Sequence, residues 1–144
     1  METQPMGKVL VPAKIENMED VYAVKLGTLD PAAVRTAEVT DALVDTGATM
    51  LSMPRHLIEQ LGLERLRTRR ARTTTGIAEF GVFSLVLLTI EGRDCRVDVA
   101  ELPDDCPVLI GQIPLESLDF IVDPTGRRLI GNPEHGGEHM IDLF

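Results

Sequence analysis

The sequence has few aromatic residues, few cysteines and no long apolar run. Aromatic residues make up 3% of the 144 positions. No apolar stretch exceeds four residues, as in 85–88, whereas a membrane-spanning helix needs ~18, so we expect no membrane association. Cys95 and Cys106 show neither a Cys-x-x-Cys nor a metal-ligand spacing. We therefore expect two free thiols, with Cys95 on the apolar face of a strand.

Positive charge is scarce. The chain has 14 basic and 23 acidic residues and a net charge of -9, which argues against general nucleic-acid binding. A local exception is formed by Arg65, Arg67, Arg69, Arg70 and Arg72, the first three of which would share one face of an extended segment. Because no aromatics are interleaved, a solvated strand face is favoured over a nucleic-acid site. A preference for acidic substrates stays open.

Length and composition indicate a single globular domain. Apolar residues make up 44% and charged residues 26% of the chain, which is typical of soluble domains of ~100–150 residues. We expect one domain over 1–144, with a core of about 8–131 and a tail of 132–144. The start has no basic region followed by an apolar one, so we expect no secretory signal and a cytoplasmic location.

Short β-type runs separated by turn residues predict an all-β, mostly antiparallel barrel or sandwich with one or two short helices. The first hairpin would join 8–15 to 21–26, with Pro12 at an edge or bulge. Helices are expected from about Pro54 to Gly62 and over 114–118. The other expected strands are 34–40, 42–45, 67–75, 82–90, 95–102, 108–110, 120–122 and 128–130.

The most informative segment is 43–49, Leu-Val-Asp-Thr-Gly-Ala-Thr. It sets Asp45 on a tight glycine turn directly after an apolar run. A carboxylate held by such a turn is suited to acid–base catalysis if a second carboxylate meets it. An aspartate that only bonds its own turn is the simpler alternative. The phosphate loop of actin-like ATPases has a similar order, but that two-lobed fold requires a much longer chain.

Three features in this order resemble the retropepsins, the retroviral-type aspartic proteases and their cellular and bacterial relatives. They are the Asp45 turn, a long hairpin with glycine near its tip at Gly76, and the apolar strand ending in Leu109-Ile110-Gly111 before a short helix. The resemblance covers about 8–131. It implies a retropepsin-like acid protease barrel that forms half of an active site, so that two copies assemble around one centre.

The chemistry explains why two copies are needed. A lone carboxylate with an ordinary pKa of ~3.9 can act as a base at neutral pH but cannot also donate a proton. Two carboxylates in contact cannot both ionise, so they share one proton. The paired aspartates of aspartic proteases are the standard example of this behaviour. With one such turn per chain, the second Asp45 must come from a two-fold related copy, which makes the protein a homodimer.

The resemblance also implies roles for the neighbours of Asp45. Thr46 would bond across the dimer axis, and Gly47 would supply an unusual backbone conformation and a close approach of the two loops. Ala48 would keep the substrate floor small. Thr75, Gly76 and Ile77 at the tip of the hairpin would contact the peptide as a flap. The expected partners are a second copy and a peptide or protein substrate.

Other interpretations and departures also follow from the sequence. Viral members usually carry an arginine after the second glycine, whereas this chain has Gln112, so a different dimer interface or weaker association is expected. His135 and His139 could bind a metal ion, but Gly136 and Gly137 favour a flexible surface segment. We expect neither metal nor cofactor. The main functional alternative is a catalytically silent module that binds peptide or only dimerises, and a protease restricted to its own precursor or one dedicated protein is a third.

Overall fold

A closed ring of β-strands forms the body of the protein. The computed structural model describes residues 8–123 and 125–143. A seven-stranded sheet runs in the order β1-β2-β7-β3-β6-β5-β4 and closes through an additional β1–β5 pairing, which leaves β4 outside the ring. Its strands are β1 (Val9–Asn17), β2 (Thr36–Val44), β3 (Leu51–Pro54), β4 (Glu64–Thr73), β5 (Gly76–Ile90), β6 (Arg93–Leu102) and β7 (Leu109–Ile110). A separate pair consists of β8 (Phe120–Asp123) and β9 (Arg128–Gly131).

Most strand pairs are antiparallel, as predicted, and the two exceptions lie on either side of the Asp45 turn. β2 pairs in parallel with β7, and β3 pairs in parallel with β6. These pairings join segments that are far apart in the sequence, with Leu43 opposite Leu109 and Leu51 opposite Val99. The turn between β2 and β3 is therefore flanked on both sides by distant parts of the chain.

The core fills the ring because apolar residues alternate along its strands. In β1 the buried positions are the odd ones from Val9 to Asn17, and the even ones are exposed or half-buried. The predicted strand interruption at Pro12 is confirmed as a register shift between Val11 and Ala13. Cys95 is buried on the apolar face of β6, as expected, and both cysteines are free. The fully buried core side chains include Ile15, Leu51, Met53, Leu88, Val99, Ile110 and Leu118.

The predicted strand over 21–26 is wrong. These residues belong to helix α1 (Met18–Lys25). Asn17 caps the helix by accepting a hydrogen bond from the Asp20 N–H. The Asp20 carboxylate then binds the Arg35 guanidinium through two bonds of 2.8 and 2.9 Å, which fixes the helix against the start of β2. Both sides of β1 are already paired with β2 and β5, so no hairpin partner is needed.

Two further short helices complete the fold. Helix α2 (Arg55–Gln60) begins after Pro54 and is followed by Gly62 with a φ of +65°, as the sequence predicted. Helix α3 (Gln112–Leu118) begins directly after Gly111. The part of the chain that the structure describes thus has three short α-helices, where one or two were expected. Among the described residues, no helix has the length and apolar character needed to cross a membrane.

The long hairpin predicted around Gly76 is present, but its tip lies earlier in the chain. Thr73 pairs with Gly76, so Thr74 and Thr75 form the turn and Gly76 already opens β5. The Thr73 hydroxyl donates to the Gly76 carbonyl oxygen at 2.8 Å and stabilises this turn. β5 is 15 residues long: its first part pairs with β4 and its last part with β1 and β6.

One expectation about the arginines of β4 is wrong. Arg65 pairs with Phe83 and Arg67 with Val82, with a register shift between them. Because Val82 and Phe83 are consecutive and point to opposite faces, the bulge places Arg65 on the face opposite Arg67 and Arg69. Arg65 instead lies 3.9 Å from Glu101 and stacks over the Phe83 ring.

The segment 132–143 is held against the body, which corrects the expectation of a flexible surface segment around His135. Asp119, buried at the end of α3 with a φ of +61°, is the centre of this attachment. Its carboxylate contacts His135 Nδ1 at 2.6 Å and accepts bonds from the Asn132 side chain and the Met140 N–H. His135 Nε2 lies 3.3 Å from Asp142. His135 is therefore a structural link between two carboxylates.

This attachment predicts a pH-dependent stability. The hydrogen bond to His135 lowers the pKa of Asp119 to about 2. The stabilisation of the fold by the ionised Asp119 carboxylate is therefore present above its usual pKa of 3.8 and is lost as the pH falls toward 2. The Asp119 and Asp142 carboxylates raise the pKa of His135 above 6.5. The stabilisation of the fold by protonated His135 is therefore complete below pH 6.5 and is lost as the pH rises through the raised pKa. We expect His135→Gln to lower the melting temperature more at pH 5 than at pH 9.

The matched control is His56→Gln, since His56 contacts an exposed carboxylate, Asp104, at the surface. Thermal unfolding followed by circular dichroism at both pH values checks the prediction. An equal loss for His135→Gln at pH 5 and pH 9 would contradict it.

Candidate functional site

The end of β2 positions Asp45. Leu43 and Val44 pair in parallel with Leu109 and Ile110. The Leu43 N–H donates to the Val108 carbonyl at 2.8 Å, and the Asp45 N–H donates to the Ile110 carbonyl at 3.0 Å. Asp45 is therefore fixed by the last hydrogen bond of the β2–β7 strand pair, and its backbone position is set by β7.

The turn after Asp45 is tied to the start of α3 by main-chain hydrogen bonds. The Gly111 N–H donates to the Met50 carbonyl at 3.1 Å, the Gln112 N–H to the Ala48 carbonyl at 2.8 Å and the Ile113 N–H to the Thr49 carbonyl at 2.9 Å. Within the turn, the Ala48 N–H donates to the Asp45 carbonyl at 3.0 Å. We call residues 45–50 the Asp45 loop and these bonds to 111–113 the loop strap.

The Asp45 carboxylate lies at the surface of this loop. It is half-buried, and its Oδ1 accepts a hydrogen bond from the Gly47 N–H at 3.0 Å. Thr46 and Gly47 are exposed, and Ala48 is half-buried. The loop thus presents a carboxylate with one oxygen held by its own backbone, next to residues that are open to a partner.

One of the two roles expected of Gly47 is absent from the structure, and the close approach of two loops stays a prediction. Its φ lies outside the left-handed region, so the predicted unusual conformation is absent. A Cβ at this position would lie 3.3 Å from Asp45 Oδ1, which is a tight contact. In this structure, glycine leaves room for the carboxylate beside the Gly47 N–H.

Gly111 is a residue of the site that the predicted residue set did not include. A Cβ there would lie 2.5 Å from the Met50 carbonyl oxygen and 2.7 Å from that of Ala48. Real Cβ atoms do not approach backbone oxygens so closely. The available signal was the glycine that ends the apolar run 108–110, and its role is to let α3 begin against the Asp45 loop.

The structure places the predicted site residues in two groups. Asp45, Thr46, Gly47 and Ala48 lie together in the Asp45 loop, whereas Thr75, Gly76 and Ile77 lie at the exposed tip of the β4–β5 hairpin. Ile77 is 64% exposed. Within the described part of a single chain, no hydrogen bond joins the two groups.

Gln112 does not carry the loop strap through its side chain. Its backbone N–H bonds the Ala48 carbonyl, while its exposed side chain lies 3.4 Å from Glu116 in the same helix. The attachment of the loop at this position is therefore made by main-chain atoms and does not depend on the side chain of residue 112.

The described residues hold no group of three or more His, Cys, Asp or Glu side chains arranged to bind a metal ion. The groups that the Asp45 loop presents are its carboxylate and its backbone donors. These can accept a proton, hold a water molecule and orient a carbonyl group.

Residues 31–123 match the model of a family described as "gag-polyprotein putative aspartyl protease". This range contains the Asp45 loop, the whole β4–β5 hairpin and the loop strap. The chain belongs to this aspartyl protease family. The match confirms the predicted family resemblance, and the mostly antiparallel barrel agrees with the predicted fold class. Helix α1 and the segment 132–143 lie outside the matched residues.

Among the solved structures similar to the chain is the solution structure of the simian foamy virus (mac) protease, at 18% identity and a TM-score of 0.47, covering 76% of this chain and 93% of that chain. No curated protein matches the chain.

The loop strap predicts the effect of one substitution. In Gly111→Ala the new Cβ would contact backbone oxygens, so either the Asp45 loop or the start of α3 has to move. We expect the free energy of unfolding to fall by about 1–3 kcal/mol, measured by denaturant titration. Gly126→Ala is the control, because its nearest atoms belong to the side chains of Asp123 and Arg128. Equal stability of the two variants would show that the strap tolerates a side chain.

Proposed function

We propose that this protein is an aspartic endopeptidase that cleaves peptide bonds at a site formed by two Asp45 carboxylates, one from each subunit of a homodimer. The observation that carries the proposal is the half-buried Asp45 carboxylate at the end of a strap-held loop, in a chain with one Asp-Thr-Gly turn. The family match gives the general class of chemistry. A cytoplasmic location remains a prediction from the sequence.

The pairing of two aspartates supplies both catalytic functions. One Asp45 accepts a proton from the attacking water, while its protonated partner polarises the scissile carbonyl and later protonates the leaving nitrogen. Close contact of the carboxylates maintains the single shared proton, because two adjacent negative charges are strongly unfavourable. No cofactor is required for this sequence of proton transfers.

The exposed surface around Asp45 supports the dimer. Thr46 and Gly47 are exposed in the single chain, and Ile113, whose N–H bonds the Thr49 carbonyl, is 51% exposed. An apolar side chain beside an open loop suits a symmetric contact in which each loop meets its copy. Gln112 takes no part in an ion pair here, so we expect this contact to rest on packing and backbone bonds.

The β4–β5 hairpin is the proposed flap. Its two-residue tip and the adjoining Gly76 and Ile77 are exposed and free to cover a bound peptide. An extended peptide would lie between this hairpin and the Asp45 loops, held partly by main-chain hydrogen bonds. Ala48 would form part of the floor and Thr75, Gly76 and Ile77 part of the roof.

Mixing subunits tests the shared site directly. Asp45→Asn should remove peptide cleavage and keep the dimer, because the amide has the same shape but cannot accept a proton. If a site needs both aspartates, an equal mixture of wild-type and Asp45→Asn chains should retain about one quarter of the wild-type activity at the same total concentration, by random pairing of subunits.

Retention of about one half would mean that each chain works independently. Thr49→Val, a change in the same loop that leaves Asp45 in place, is the matched control for mixing. Unchanged cleavage by purified Asp45→Asn would refute the assignment of Asp45. Sedimentation analysis of each variant confirms that dimers are being compared.

The shared proton also predicts a bell-shaped pH dependence. The rate should fall at low pH, where both carboxylates are protonated, and again at high pH, where both are ionised. The measurement is kcat/KM for one peptide across a series of buffers at constant ionic strength. The dimer fraction must be followed over the same range, so that loss of the dimer is not mistaken for titration of the pair. A rate that is independent of pH would contradict the mechanism.

A further inference from the structure

Strand β4 carries an unusual concentration of positive charge. Residues 64–81 contain five arginines and two acidic residues, Glu64 and Glu79, in a chain with a net charge of -9. All five arginines are exposed. A strand of this kind has no apolar face to bury, since every residue in it except the half-buried Ala71 is exposed.

Four of these arginines have no acidic partner among the described residues. Arg65 lies near Glu101, but Arg67, Arg69, Arg70 and Arg72 form no ion pair within that part of the chain. Glu79 lies opposite Arg70 in the strand register without closing a salt bridge. Among the described residues, the hairpin therefore projects four guanidinium groups that form no ion pair.

The four arginines divide equally between the two faces of the hairpin. Arg67 and Arg69 pair with Val82 and Phe80 and share one face, whereas Arg70 and Arg72 pair with Glu79 and Ile77 and share the other. Either face turned toward a bound peptide therefore presents two arginines. The face of Arg70 and Arg72 also carries Glu79, which lies opposite Arg70.

Protection of an edge strand is the simpler explanation. β4 pairs only with β5, and charged side chains discourage edge-to-edge aggregation. That role needs charge but gives no reason for an excess of five arginines over two acidic residues in a chain whose net charge is negative. Guanidinium groups bind carboxylates through paired, planar hydrogen bonds, which suits recognition of acidic side chains.

We propose that the arginines of β4 select substrates with acidic residues flanking the cleaved bond. The inference rests on the proposed function and names its substrate class. The peptide under the hairpin meets Arg67 and Arg69 or Arg70 and Arg72 within a partly water-excluded groove. Acidic side chains on either side of the scissile bond neutralise these groups and increase the occupancy of the site.

The test compares cleavage of three peptides with the same central sequence and flanking Glu, Gln or Lys. We expect kcat/KM for the Glu peptide to exceed that for the Gln peptide by about threefold to tenfold, the scale of one or two exposed ion pairs. The Lys peptide should be the poorest substrate. The preference should shrink as salt rises from about 50 to about 500 mM, because screening weakens exposed charge pairs.

Two double variants locate the preference on the hairpin. Arg67→Gln/Arg69→Gln and Arg70→Gln/Arg72→Gln each remove two charges, and one of them should bring the Glu-to-Gln ratio close to one. Lys25→Gln/Arg127→Gln is the matched control, because it removes two exposed charges elsewhere and should keep the wild-type ratio. A wild-type ratio of one, or equal ratios in all three variants, would overturn the inference. Aggregation of the hairpin variants with an unchanged ratio would assign the arginines to edge protection.

A binding measurement separates this inference from the proposed function. Fluorescence anisotropy of the same peptides with Asp45→Asn needs no turnover. If wild-type protein cleaves none of the peptides but Asp45→Asn prefers the Glu peptide, the protease proposal fails and acidic-peptide recognition stands. If the wild-type protein cleaves the peptides but neither assay shows a preference for the Glu peptide, the inference about acidic substrates fails and the proposed protease function stands. Displacement of the Glu peptide by a short oligonucleotide at much lower concentration would make nucleic acid the occupant and refute the choice of an acidic peptide.

Discussion

The parallel pairing of β2 with β7 is the constraint on which the site depends. It places the Asp45 N–H on the Ile110 carbonyl and brings Gly111 to the carbonyls of Met50 and Ala48. The Asp45 loop is consequently bound on both sides by main-chain hydrogen bonds that use no functional side chain. A loop held in this way keeps its carboxylate in one place without ion pairs that would neutralise it. The side chains of the loop remain available for a partner and for substrate.

The chemistry requires this arrangement because each chain contributes only one carboxylate of the proposed pair. Two acidic groups repel when both are ionised, so a loop free to move would relax away from its copy. The loop strap resists such movement through main-chain hydrogen bonds between 48–50 and 111–113. Stability of the barrel and alignment of the proposed catalytic groups would therefore be linked through the same few hydrogen bonds.

Local sequence signals identified most of the barrel, the long hairpin and the Asp45 loop. These signals are visible within a few neighbouring residues. They are the turn at Gly47, the apolar run before Gly111 and the alternation of apolar and polar residues along β1 and β6. Helix α1 was missed because Val21, Tyr22 and Val24 favour a strand and outweighed the local signal of the Asn17 cap. The Asp20–Arg35 pair that fixes the helix is a tertiary feature. The face of Arg65 could not be predicted because a bulge leaves no clear mark in sequence. Anchoring of His135 depends on a buried aspartate, Asp119, sixteen residues earlier in the chain.

The length of β5 has a consequence for how this protein can be altered. The same strand forms the wall of the barrel beside β1 and β6 and the arm of the hairpin beside β4. The hairpin therefore cannot be replaced as an independent unit. A hairpin grafted from a relative would have to reproduce the register shift between Phe83 and Val86 as well as the part of β5 that pairs with β4. Substitutions in the hairpin arm and in the barrel wall are therefore expected to have non-additive effects where they shift this shared strand, even where no side chains touch.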